Sequence, residues 1–323
     1  MRYRELGSTG TKVSELCFGT WRFALESDGV VETDREEAHD LLDEFTEAGG
    51  NFIDTANVYG DPSGTSERWI GEWLDERDRE EFVLASKVRG GFRDGPNGSG
   101  LSRPHIRRQI EGTLDRLGTE YIDVYYIHGW DSKTPIAETL RTMDRLVQEG
   151  KVHYLAASNL AGWQLMKALW TSDVEGLEQF EVIQPKFNAA FREQPASLLD
   201  VCGDQDLAVC PYSPLEGGFL TGKYERDGSS PEGSRGDLNS WGDRFDERQW
   251  RVLEALREVA DDLDATPTQV ALRWLIDRPR FTCVPIIGAR TTDQMSENMA
   301  AADIELPERE RKRITDAYED EES

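Results

Sequence analysis

The sequence predicts a single (β/α)8 barrel spanning 1–323, with an N-terminal β-hairpin and extra C-terminal helices. Three observations lead there. Short β-rich runs alternate with helical patterns, and the alternation repeats eight times. The runs are near-continuous in apolar residues, as strands are when helices cover both faces of a parallel sheet. Eight such strands close into a barrel. A chain of 323 residues fits one such domain, and no linker, low-complexity tract or shift in composition divides it.

The units follow in order. "ELCFGT" (15–20) precedes a helical "DREEAHDLLDEFTEAG", and "NFIDTA" (51–56) precedes "SERWIGEWLDERD", whose Trp69, Ile70, Trp73 and Leu74 share one face. "FVLASK" (82–87) leads to "SRPHIRRQIEGTLDRLG", with proline just inside its start and glycine at its end. "IDVYYIH" (122–128) leads to "TPIAETLRTMDRLVQEG", punctuated the same way. "VHYLAAS" then meets "AGWQLMKALW", "FEVIQPKF" meets "QPASLLDVCG", and "LAVCPYS" meets a long loop and two helices. "FTCVPIIG" with "TTDQMSENMAA" completes the repeat. Outside it lie the hairpin "RYREL…TKVSEL", placed to plug the bottom of the barrel, and a C-terminal helix in "PERERKRITDAYED".

Composition narrows the partners. The formal net charge is −26, and 8 lysines stand against 29 arginines. So acidic a chain repels nucleic acid and anionic membranes. Screening in a salt-rich cytoplasm would relieve its self-repulsion. No apolar run approaches the ~18 residues of a membrane span, and "MRYRELGSTG" lacks the apolar stretch of a secretory signal, so a cytoplasmic chain is expected. Cys17, Cys202, Cys210 and Cys283 are widely spaced and read as reduced core residues, while the four histidines show no metal-ligand spacing. No metal is expected. Oligomeric state is left open.

In a barrel the C-terminal strand ends carry the chemistry. Here they read Thr20–Trp21, Asp54, Lys87, His128, Ser158–Asn159, Gln184, Tyr212–Ser213 and Gly288, with Tyr59 in the loop above Asp54. A tyrosine hydroxyl of pKa ~10 is a reluctant proton donor, and a nearby ammonium lowers that pKa. Lys87 supplies the ammonium and Asp54 holds it charged. His128 suits orienting a substrate oxygen or sharing the donated proton. Such a set assists proton transfer to a carbonyl, and a hydride must come from elsewhere. Alone, each residue has a plainer reading: a loop-entry acid, a half-buried aromatic, a snorkelling lysine, a core histidine. Lys87 could also form a Schiff base, as lyases do.

The set Asp54–Tyr59–Lys87–His128, together with "GTW", "FIDTANVYG", "ASK", "IHGWD", "SN" and "SPLEGGFLTGKY", resembles the aldo-keto reductase superfamily over essentially the whole chain. The similarity is greatest to the branch of aryl-alcohol-dehydrogenase-like enzymes and potassium-channel β-subunits. It implies reduction of aldehydes or ketones, with Tyr59 as general acid, Lys87 and Asp54 tuning it, and His128 positioning the oxygen. NADPH is the implied cofactor, with NADH second. A slow, redox-sensing NADP(H)-binding subunit is the alternative.

No G-x-G-x-x-G opens a helix after a strand, so a Rossmann site is not expected. The resemblance instead lays the dinucleotide across the barrel mouth. It puts Thr20, Trp21 and Asp54 beside the cofactor, Ser158, Asn159 and Gln184 at the nicotinamide amide, and Tyr212 stacked on that ring. Ser213, Pro214, Leu215 and Gly217 run along the pyrophosphate, with Lys223 and Arg235 in a loop folding over the cofactor. Gly288, Arg290, Gln294, Glu297 and Asn298 take the adenosine end, where a helix N-terminus and an arginine favour a phosphate. Trp21, Tyr59, His128 and Trp130 are the candidate substrate pocket, joined by Trp241. The glycine-rich 90–100 is expected to overhang it as a lid.

Overall fold

A computed structural model describes residues 1–27, 30–193, 195–229 and 244–319. The hairpin pairs β1 (Tyr3–Glu5) antiparallel with β2 (Lys12–Ser14). β3 (Cys17–Gly19) opens the barrel, and a small antiparallel ribbon of β4 (Glu26–Ser27) and β5 (Val30–Val31) follows. Then come α1 (Arg35–Glu47), β6 (Phe52–Asp54), α2 (Thr65–Leu74), β7 (Val83–Val88), α3 (Arg103–Leu117), β8 (Ile122–Ile127) and α4 (Ile136–Gln148). The second half runs β9 (Val152–Ser158), α5 (Gly162–Glu175), β10 (Phe180–Gln184), α6 (Ala196–Asp204) and β11 (Ala208–Val209). α7 (Glu247–Asp262), α8 (Pro267–Ile276), β12 (Ile286–Ile287), α9 (Thr292–Met299) and α10 (Glu308–Glu319) complete the described strands and α-helices.

Eight parallel strands form one sheet, ordered β11-β10-β9-β8-β7-β6-β3-β12. Its edges meet. Val209 N donates to Thr282 O (2.8 Å), Val284 N to Val209 O (2.9 Å) and Ile286 N to Pro211 O (2.9 Å). Pro211 and Pro285 lack an N–H, which keeps the last two strands shorter than their apolar runs; their carbonyls still serve, Pro285 O accepting from Cys17 N at 3.0 Å.

Period-two alternation sets the site. Phe52, Val83, Ala85, Val124, Tyr126, Ala156 and Val182 fill the barrel interior. The next inward positions on the same strands are Asp54, Lys87, His128, Ser158 and Gln184, so polar groups form the layer directly above an apolar plug. Leu6 and Val13 of the hairpin belong to that interior cluster and seal its lower end. The outward residues, such as Leu84, Tyr125, Ile127, Leu155 and Ile183, join the helices in the outer core. All four cysteines are buried and free. Among the described residues, no helix is long and apolar enough to cross a membrane.

Candidate active site

The strand ends surround a cavity of about 910 Å³ at the barrel mouth. Lys87, fully buried at the end of β7, is its electrostatic centre. Its Nζ donates to Asp54 Oδ1 (2.5 Å), to the Thr55 carbonyl (2.8 Å) and to Tyr59 Oη (3.3 Å), which uses all three ammonium hydrogens. The second Asp54 oxygen accepts from Gln184 Nε2 at 2.9 Å. Desolvation raises the Asp54 carboxyl against the pull of Lys87, and desolvation is likewise opposed at Lys87, where Asp54 carries the pKa upward. The pair is therefore held ionised by mutual attraction in a dry setting.

Tyr59 corrects one expectation. Lys87 does pull its pKa down, but burial outweighs that pull, and the phenol lies above its ordinary value. The phenol is thus firmly protonated. Because its oxygen accepts from Lys87, its own hydrogen is directed elsewhere, toward the cavity that Tyr59 lines. His128 lies beside it, ring centroids 6.0 Å apart and edge-on. Burial first, then Lys87 and Arg89, push His128 down to about 3. A neutral imidazole donates one N–H, which suits it to orienting an oxygen.

Above them, Asn159 is fixed from three sides. Its Nδ2 donates to His128 O (3.1 Å) and Ser158 Oγ (3.0 Å), and its Oδ1 accepts from Tyr212 Oη (3.0 Å). Ser158 Oγ in turn donates to Gln184 O at 2.9 Å. The turn after β11 winds through left-handed backbone at Ser213 (φ 54°), Glu216 (φ 47°), Gly217 (φ 66°) and Gly218 (φ 99°). Buried Glu216 braces it, accepting from Lys186 Nζ (2.6 Å) and Asn188 Nδ2 (2.7 Å). The Lys223 ammonium lies on this turn, 2.9 Å from where a Cβ of Gly218 would stand, and the φ of 99° is what calls for glycine there. At the far end, Thr291 caps α9, Gln294 Oε1 accepts from Arg290 N (3.0 Å), and Asn298 Nδ2 reaches Gly288 O (3.4 Å).

Of the residues singled out in the sequence, Trp21, Asp54, Tyr59, His128, Ser158, Asn159, Gln184, Tyr212, Ser213, Pro214, Leu215, Gly217, Lys223, Gly288, Arg290, Gln294, Glu297 and Asn298 line this one cavity. Three do not. Lys87 lies beneath it. Thr20 is buried, its hydroxyl bonded to Asp54 O and Ser66 Oγ. Trp130 turns away to pack edge-on against Trp163, centroids 5.8 Å apart. Arg235 and Trp241 lie outside the described residues. No residue of 90–100 lines the cavity; Phe92 instead sits under the Arg116 guanidinium at 4.5 Å. Gly19, Arg22, Val58, Gly218, Thr221, Thr268, Ile286 and Ile287 also line the wall and escaped the sequence reading. Gly19 had a signal only as the glycine of "GTW" at the first strand end; in the structure a Cβ there would meet Ile286 at 2.5 Å. Thr268 comes from the start of α8 and had none.

The cavity suits an elongated anion. Lys223 and Arg290 bring cations to its wall, Arg22 is paired with Glu32, and Asp54 and Glu297 are its acids. Consecutive left-handed glycines and a capped helix start are both backbone forms that receive phosphate oxygens.

The model of the aldo/keto reductase family matches residues 15–319. Norsolorinic acid reductase B of Aspergillus parasiticus is 36% identical, covering 98% of this chain and 84% of that protein. A probable voltage-gated potassium channel subunit beta of Arabidopsis thaliana is 33% identical over 94% of this chain and 92% of its own. The aryl-alcohol dehydrogenase [NADP(+)] of Phanerodontia chrysosporium is 33% identical over 86% of this chain and 75% of its own length.

Proposed function

This chain belongs to the aldo/keto reductase family, and from that premise we propose that it is an oxidoreductase that reduces aldehyde or ketone carbonyls to alcohols with NADPH. One observation carries the reading. The Lys87 ammonium is committed to Asp54, Thr55 O and the Tyr59 oxygen, which leaves the Tyr59 hydrogen as a donor facing the cavity. Beside it, neutral His128 offers a second donor. A carbonyl oxygen held by both becomes more electrophilic at carbon, and takes the Tyr59 proton as negative charge develops on it. The phenolate left behind faces Lys87, which stabilises it through the same 3.3 Å contact.

When bound, the nicotinamide supplies the hydride to the carbonyl carbon. Ser158, Asn159 and Gln184 would hold its amide, and Tyr212 would stack on its ring. Ser213, Pro214, Leu215, Gly217 and Lys223 would take the pyrophosphate. Gly288, Arg290, Gln294, Glu297 and Asn298 would take the adenosine end, Arg290 giving the bidentate phosphate contact that favours NADPH over NADH. Trp21, exposed at 46%, presents an indole at the rim of the same cavity and suits an apolar carbonyl substrate.

Tyr59→Phe tests the assignment. It removes the hydroxyl and keeps the ring. Reduction of a test aldehyde should fall by ~10²-fold or more, the share of a general acid, while NADPH fluorescence quenching stays near wild type. Turnover equal to wild type would remove Tyr59 from the mechanism. If wild type bound NADPH yet reduced no carbonyl compound in a broad screen, the reading would yield to that of a redox-sensing binding subunit.

A further inference from the structure

At the edge of the cavity, one arginine holds a backbone shape that arginine does not favour. Arg89 directly follows β7, two positions beyond Lys87, and its φ of 142° is one that glycine adopts freely and an L side chain only under strain. Strain of this kind persists where the surroundings impose it, and it gathers at functional sites.

The surroundings here fix the side chain. Gly100 N donates to Arg89 O (2.9 Å), and His128 N donates to Val88 O (2.8 Å). On one flank Gly90 lies against Val58, a methyl carbon of which is 2.6 Å from where a Gly90 Cβ would stand. On the other, the Arg89 guanidinium runs along Gly129, its Cζ 3.8 Å from where a Cβ of that glycine would stand, and its Nε donates to Trp130 O at 3.2 Å. Val58 and His128 both line the cavity, so the exposed head of Arg89 stands between two segments of its wall.

That head is not spent on the protein. Acidic residues outnumber basic ones 63 to 37, yet none of the described carboxylates pairs with Arg89. Asp131, in the same loop, is already engaged: its Oδ1 accepts from Lys133 N (2.9 Å), and its Oδ2 from Leu101 N (2.9 Å) and Thr134 Oγ1 (2.8 Å). With Nε held by Trp130 O, the two terminal nitrogens remain as a fork of the shape that takes a carboxylate through two parallel bonds.

We propose that Arg89 determines specificity, and that the substrate is a carbonyl compound bearing a carboxylate, which Arg89 grips while Tyr59 and His128 hold the carbonyl oxygen. This rests on the reading of the chain as a carbonyl reductase. Arg89 takes no part in proton or hydride transfer. It orients the substrate from its far end and leaves Trp21 to the apolar body between the two polar ends.

Matched aldehydes test this: 3- and 4-carboxybenzaldehyde against their methyl esters, which keep the ring and the aldehyde and lose the charge. With NADPH, wild type should prefer the acid to the ester by ~10- to 100-fold in kcat/KM for at least one isomer, the weight of a charge-assisted contact. Arg89→Met should bring that ratio near one, chiefly by raising KM for the acid. Arg89→Gly should lose the ratio as well, yet melt no lower than wild type, because glycine accepts the φ without strain. A wild-type ratio near one for both isomers would overturn the proposal, as would a preference that survives either variant. Failure of wild type to reduce any of these aldehydes would count against the reductase reading alone. Equilibrium dialysis of 4-(hydroxymethyl)benzoate and its methyl ester against the NADP+ complex would then still judge Arg89. Tighter binding of the acid that is lost in Arg89→Met supports the proposal, and equal binding of acid and ester overturns it.

Discussion

Replacing Lys87 by methionine separates what its ammonium does for stability from what it does for chemistry. Methionine keeps a long apolar stem and deletes the charge with its three bonds, to Asp54 (2.5 Å), Thr55 O (2.8 Å) and Tyr59 (3.3 Å). Asp54 then retains Gln184 Nε2 at 2.9 Å as its partner. Burial already raises the Asp54 carboxyl, and Lys87 is its main counterweight, so the substitution raises it further. Breaking a buried ion pair from one side costs roughly 3–5 kcal/mol. The sign over pH follows from linkage. A carboxyl raised in the folded state destabilises most above its folded pKa, and the penalty shrinks as pH falls and it takes up a proton. Urea unfolding should therefore find Lys87→Met roughly 3–5 kcal/mol less stable near neutrality, and closer to wild type in mild acid. Lys87→Met with Asp54→Asn removes the stranded charge and should recover most of the loss. Carbonyl reduction should stay at least ~10²-fold down in both, since neither has a cation against Tyr59. Equal stability of the single and double variants near neutral pH, or activity that returns with stability, would refute the reasoning.

Three further outcomes are expected. Arg290→Ala should raise the dissociation constant for NADPH by at least ~10-fold and that for NADH little, because a charge-assisted phosphate contact is lost only in the first; equal losses would place Arg290 elsewhere. His128 stays neutral in the folded chain down to about 3, against an ordinary 6.5 in the unfolded one. Its contribution to stability is therefore constant above that upper value and lost as pH falls through the window, and His128→Gln should remove this slope from acid unfolding curves. Parallel curves for the two proteins would contradict a neutral buried imidazole. Finally, the melting temperature should rise from dilute buffer to molar KCl, as screening relieves the repulsion of a chain of −26; a flat response would sever the acidic composition from salt.

The barrel and its polar layer were legible because both follow from periodicity. Strand residues alternate inward and outward, so the apolar Val83 and Ala85 fix where Lys87 must point, and Val124 and Tyr126 do the same for His128. What the sequence left out is the energetic balance within that layer. Reading lysine beside tyrosine predicts a lowered phenol, yet the same burial that brings the two together removes the water on which a phenolate depends, and burial wins. Trp130 shows the other limit. Its position two residues after His128 puts its backbone at the mouth, but its side chain is claimed by Trp163 on α5, a long-range contact that spacing along the chain does not encode. The 90–100 loop was drawn off in the same way, with Phe92 held by Arg116 of α3. Backbone direction is thus set locally, while the destination of a loop side chain depends on which neighbouring helix offers it the better contact. That neighbour enters only when the barrel closes. The strand-end residues are exempt, because the pleat of the strand itself sets their direction.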